Sequence, residues 1–94
     1  MSSTADIGGA LIATNAQDLG ALLRTARTAK RWSQLQLANT IGVTRQWVIS
    51  AEKGAPTARI DLMLDALRAV DLLVDVVPDE TQAMIDAAFG AGDA

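Results

Sequence analysis

The sequence predicts a mainly α domain of four short helices followed by one short strand. Three observations carry this. Apolar residues recur at helical spacing between Leu19 and Val70. Gly42 and Gly54 stand just after two of those periodic runs, where a left-handed stop is expected. The run Leu72-Leu73-Val74-Asp75-Val76-Val77 is β-branched and closed by Pro78, which reads as a strand. Half of the 94 residues are apolar, so one packed core is within reach without staples. Cysteine and histidine are both absent, which excludes disulfides and the usual zinc sites and fits a cytoplasmic setting.

Taken in order, residues 1–17 are rich in Ser, Thr, Gly and Ala and read as a flexible arm. They have no charged region before an apolar run, so no secretory signal is expected there. The domain proper is expected over residues 18–78. Asp18, or alternatively Asn15, caps a first helix reaching about Lys30, with Leu19, Leu22, Leu23 and Ala26 on its apolar stripe. Ser33 caps a second helix over about 34–41, and Thr44 caps a third over about 45–53. Thr57 is the expected cap of a fourth helix over about 58–70. Ile60, Leu62, Met63, Leu64, Leu67 and Val70 give that helix a broad apolar surface.

A lone strand at 72–77 cannot satisfy its own backbone groups. Its simplest partner is the same strand of a second copy, with Leu72, Val74 and Val76 at the dimer contact. A helical extension, or a strand packed on a loop, is the alternative. Residues 79–94 form an acidic tail, with a short helix over 79–89 presenting Met84, Ile85, Ala88 and Phe89 on one side. No apolar stretch approaches the ~20 residues that span a bilayer.

The second and third helices, joined by a Gly-containing turn, form a helix-turn-helix unit. The net charge of −3 argues against nucleic acid, but its distribution reverses the argument. Residues 19–60 hold seven of the eight basic residues and one acid, Glu52, a net +6. The remainder is −9. DNA responds to the local face, because salt screens exposed charges beyond about 8–10 Å. Arg45 and Gln46 open the third helix, where base edges approach most closely. Arg suits guanine O6 and N7; Gln suits adenine N6 and N7. Ser50 lies one turn further along the same face.

Ser33 and Gln34 start one helix and Thr44 another, so their free backbone N–H groups suit phosphate. Lys30, Arg31 and Lys53 are the outward cations expected on phosphates; solvation of this face is the bland alternative. Trp47 is grouped with the phosphate contacts, lying along sugar-phosphate or touching a thymine methyl; packing inside the protein is an equal alternative. Trp32 precedes the Ser33 cap and is expected to reach the core. Glu52 would repel phosphate if it were free, so it should be held internally, with Arg27 as its partner. Asp61 and Asp65 stand one turn apart, a spacing that can hold a metal, though a solvated face explains them better. No metal, cofactor or catalytic group is expected, because there is no nucleophile–base set and no Gly-rich phosphate loop.

Residues 18–78 resemble the Xre/lambda-repressor-like helix-turn-helix family. DLGALLRTAR, WSQLQLA and IGVTRQWVISAEKG carry the resemblance. The later LDALRAVDLLVDVVP is similar to HipB-type antitoxins. The resemblance implies a dimer joined by its C-terminal strands. It implies DNA contact through Gln34, Thr44, Arg45, Gln46 and Ser50, with Gln34 at the bases, and a structural Arg27–Glu52 pair. It further implies a repressor that binds a palindromic operator in its own promoter and neutralises a HipA-type Ser/Thr kinase toxin. A solitary regulator of the same family, or a protein-interaction module on the same fold, are the competing functions. Three positions depart from the family pattern. Arg31 stands where Gly is usual, Ala51 where a larger aliphatic is usual, and Ile49 where a small polar residue is usual. Ala51 leaves core volume to be found elsewhere, with Trp32 and Trp47 as candidates.

Overall fold

The structure is a computed structural model and describes residues 12–78. Four helices follow in order: α1 Ala16–Ala29, α2 Gln34–Ile41, α3 Arg45–Glu52 and α4 Ile60–Ala69. Residues 1–11 of the expected arm, and the whole of the 79–94 tail with its expected helix, lie outside the described residues.

The start of α1 is set by Asn15, whose Oδ1 accepts from the Asp18 backbone N–H at 2.7 Å. Of the two expected caps, Asn15 serves, and Asp18 supplies a carboxylate in the first turn instead. Ala16 and Gln17 therefore belong to the helix and not to an arm. Ser33 and Gln36 cap α2 reciprocally: Ser33 Oγ accepts from Gln36 N at 3.0 Å and Gln36 Oε1 from Ser33 N at 2.6 Å. Gly42, at φ 75°, ends α2 in the left-handed turn that favours glycine. Thr44 Oγ1 accepts from Trp47 N at 3.0 Å and starts α3.

The start of α4 differs from the one its local sequence predicts. Arg59, not Thr57, holds the cap position, and its side chain makes no capping bond. Arg59 instead grips Asp61 through Nε–Oδ1 at 3.1 Å and Nη2–Oδ2 at 2.6 Å. The Arg59 guanidinium holds the exposed Asp61 carboxyl below its ordinary range. The charged Asp61 then sits in the first turn of α4, where the helix dipole favours an anion.

The core is Leu23, Leu37, Ala38, Val48, Ala51, Met63, Ala66, Leu67 and Val70, with Trp32, Trp47 and Leu72 packed half-buried around it. Only the inner stripe of α4 is buried; Ile60 and Leu64, expected in the apolar surface, lie on its exposed flank. The small Ala51 is answered by close approach as well as by bulk. A Cβ at Gly20 would collide with the carbonyl oxygens of Ala51 and Glu52, so α1 and α3 touch backbone to backbone there. Asp71, at φ 67°, turns the chain out of α4. Among the described residues no strand is formed, because residues 72–78 have no second strand to pair with and a ladder needs two. No helix among these residues is long and apolar enough to cross a membrane.

Candidate nucleic-acid interface

Arg27 is the hub that fixes the two interface helices. Its guanidinium binds Glu52 twice, Nε to Oε2 at 2.5 Å and Nη2 to Oε1 at 3.0 Å. The third bond runs from Nη1 to the Trp32 carbonyl oxygen at 2.6 Å. One buried side chain on α1 thus ties the end of α3 to the turn that precedes α2. Arg27 and Glu52 are 7% and 9% exposed, so the lone acid of the basic segment is neutralised inside the protein. Both charges have their hydrogen bonds met, as burial requires.

Gln34 completes this site. Its amide nitrogen donates to Glu52 Oε1 at 3.2 Å. The Gln34 side chain, expected at the bases, is therefore half-committed inward. The reciprocal cap uses the N–H groups of Ser33 and Gln36, which leaves those of Gln34 and Leu35 without helical partners at the start of α2. These are the donors that α2 can offer to a phosphate.

The first turn of α3 presents the other face. Arg45 and Gln46 are exposed, and among the described residues no carboxylate lies within ion-pair distance of Arg45. Gln46 Nε2 is 3.5 Å from Ser50 Oγ, too long to hold the amide away from another partner. Ser50, one turn on, is half-buried. Thr44 is exposed but spends its hydroxyl oxygen on the cap, which leaves its O–H free to donate.

The cations divide. Arg31 and Lys53 are exposed at the ends of α1 and α3. Arg31 holds φ 62°, so the chain turns there without the glycine usual at this point. A non-glycine residue in that conformation costs about 1–2 kcal/mol, which the bond from Arg31 N to Thr28 O at 2.9 Å helps to offset. Lys30 is not the free outward cation expected. Its Nζ binds Asp71 Oδ2 at 2.8 Å and lies 5.0 Å from the centre of the Trp32 ring. The partners of this pair are 41 residues apart, and the one local signal for it is that Asp tolerates the left-handed conformation found at Asp71.

Trp47 is half-buried: it packs against the core, one of its two expected roles, and it also walls a surface concavity of about 300 Å³. The concavity runs between α3 and the loop before α4, where Ala55, Thr57 and Ala58 line it. Those loop residues carry no motif that marks them as part of a site. Leu72 packs on the core, whereas Val74 and Val76 are exposed, Val76 to 90%.

The comparisons with known proteins agree with this geometry. Residues 18–84 match the model of a family described as helix-turn-helix domain. A protein of Sinorhizobium fredii described as an uncharacterized HTH-type transcriptional regulator is 33% identical over 60 residues. That alignment covers 64% of this chain and 79% of the relative.

Proposed function

Because this chain belongs to the helix-turn-helix domain family, we propose that it is a DNA-binding transcriptional regulator that reads a palindromic operator as a homodimer. One observation carries the reading. The only acid on the helix-turn-helix unit is buried against Arg27, while Arg45 and Gln46 stand exposed and uncommitted on the first turn of α3.

In this reading Arg45 and Gln46 contact base edges, with Ser50 a weaker reader one turn on. Thr44, Arg31, Lys53 and the backbone at Ser33 and Gln34 contact phosphate. Two copies place their α3 helices in successive major grooves, about 34 Å apart. The exposed run Leu73 to Val77 supports a contact between copies, since apolar side chains at such exposure mark an interface. The finer role is an autoregulatory repressor that is the antitoxin of a HipA-type kinase. It rests on the likeness of residues 64–78 to HipB-type antitoxins. A kinase gene beside this one, and co-purification of its product, separates that role from a solitary regulator.

The test is a fluorescence-anisotropy titration of the chain's upstream promoter DNA at two salt concentrations. Binding should weaken steeply with salt as counterions are released. Arg45→Ala should cost about 1–3 kcal/mol, or roughly 5- to 150-fold, and relax one base position, with helicity unchanged. Salt-independent binding, or no binding by a folded dimer, would sink the reading.

A further inference from the structure

We propose that the concavity beside α3 is the docking site of the chain's own acidic tail, residues 79–94, with Phe89 as its anchor. The consequence, that DNA must displace the tail, rests on the DNA-binding reading above. The concavity, about 300 Å³, runs between α3 and the loop before α4. Trp47, Ala51, Ala55 and Ala58 are the apolar residues that line it, and no charged residue does. Arg45 stands between two lining residues, Thr44 and Gln46, and has no ion-pair partner among the described residues. Lys53, at the other end of the same helix, has none among them either. The site is thus a place for apolar side chains beside cations that the described domain leaves without carboxylates.

Charge, apolar content and reach select the occupant. Residues 79–94 carry Asp79, Glu80, Asp86 and Asp93 and no Lys or Arg, the complement of this face. Between those acids lie Met84, Ile85, Ala88 and Phe89, the chain's one phenylalanine. Aromatic rings pair favourably, and Trp47 supplies the second ring. Ala58 lines the concavity two residues before α4 begins, and Leu72 packs on the core just past the other end of that helix. Ten helical residues are about 15 Å long, so the chain leaves the domain about 15–20 Å from the concavity. Extended, the 17 residues from Leu72 to Phe89 span about 56–61 Å, about three times that distance. A tethered segment is present at an effective concentration of about 1 mM, so a contact with a Kd of about 0.1 mM keeps the site about nine-tenths filled. Tail carboxylates and DNA phosphates seek the same cations, so each excludes the other. Such competition weakens binding of every duplex by one factor, here about tenfold.

Docking is tested without DNA, from amide NMR spectra of the full-length protein and of full-length Phe89→Ala, which keeps every charge. The amides of Trp47, Ala51, Ala55 and Ala58 should shift between the two. Shifts confined to the tail overturn the proposal. So does a difference that fades on dilution while the dimer stays intact, which would give the concavity to another molecule's tail. Displacement is tested by titrating both proteins at low salt with an operator selected from a random duplex library and with an unrelated duplex. Phe89→Ala should bind both about five- to tenfold more tightly, as a site released from competition does. A full-length variant with D79N, E80Q, D86N and D93N should gain at least as much. Unchanged affinity in Phe89→Ala overturns displacement. A gain confined to the four-carboxylate variant traces the effect to net charge and overturns the anchor. If the amides shift as expected but no duplex is bound in a salt-dependent way, docking stands and the DNA-binding reading has failed.

Discussion

Glu52 shows how a single residue can decide the sign of a surface. Left free, it would place a negative charge at the end of the helix that opens with Arg45 and Gln46. Held by Arg27 and Gln34, it becomes the anchor for that helix. Breaking a buried pair by removing one charge costs more than the pair contributes, because the other charge stays buried alone. Glu52→Gln keeps the shape and one acceptor, so it should lose about 3 kcal/mol, the low end for a broken buried pair. Urea denaturation reads this directly. A loss under about 1 kcal/mol would mean that Arg27 reaches solvent when Glu52 is neutral. Lys30 is the contrary case: a cation read as outward is occupied by Asp71, so it should add little to the salt dependence of binding.

At the scale of the elements, the α1–α3 crossing is the feature on which the interface depends. Gly20 lies inside a helix, where alanine would ordinarily stabilise by about 1 kcal/mol. Here the added methyl meets two carbonyl oxygens of the α3 backbone, which cannot rotate away. Gly20→Ala should therefore destabilise, by about 1–3 kcal/mol, as overpacking does. The sign is the test: a raised melting temperature would show that the helices are not in backbone contact. The helix limits themselves were legible in advance. Ser33, Gly42 and Thr44 act through bonds spanning a few residues, so their meaning is present in the local sequence. The cap of α4 was not legible, because Thr57 looks as suitable as Thr44, and only the path of the loop places Arg59 at the boundary.

For the whole molecule, charge segregation and the exposed C-terminal run set the expected assembly. Net charge −3 conceals a +6 segment that contains the whole helix-turn-helix unit. Residues 73–77 leave Leu73 at 89% and Val76 at 90% exposed, which one chain by itself does not cover among its described residues. With a second copy, the run would gain backbone partners and lose apolar exposure together. The wild-type protein should sediment as a dimer, and Val74→Asp as a monomer with its helical signal intact. An unchanged dimer in Val74→Asp would remove this run from the interface.

The sequence by itself determined the mainly helical class, the limits of α2 and α3, and the exposed Arg45–Gln46 pair at a helix start. Each of these follows from side chains acting on backbone within a turn or two, or from periodicity along one helix. The tertiary structure alone decided which cations remain available, how closely α1 meets α3, and that a concavity opens beside Trp47. Those depend on groups brought together from far apart, 41 residues for Lys30 and Asp71. No local pattern encodes such distances. Packing settles them, because each buried charge must find its partner and each helix must close on its neighbour at the distance its smallest residues allow.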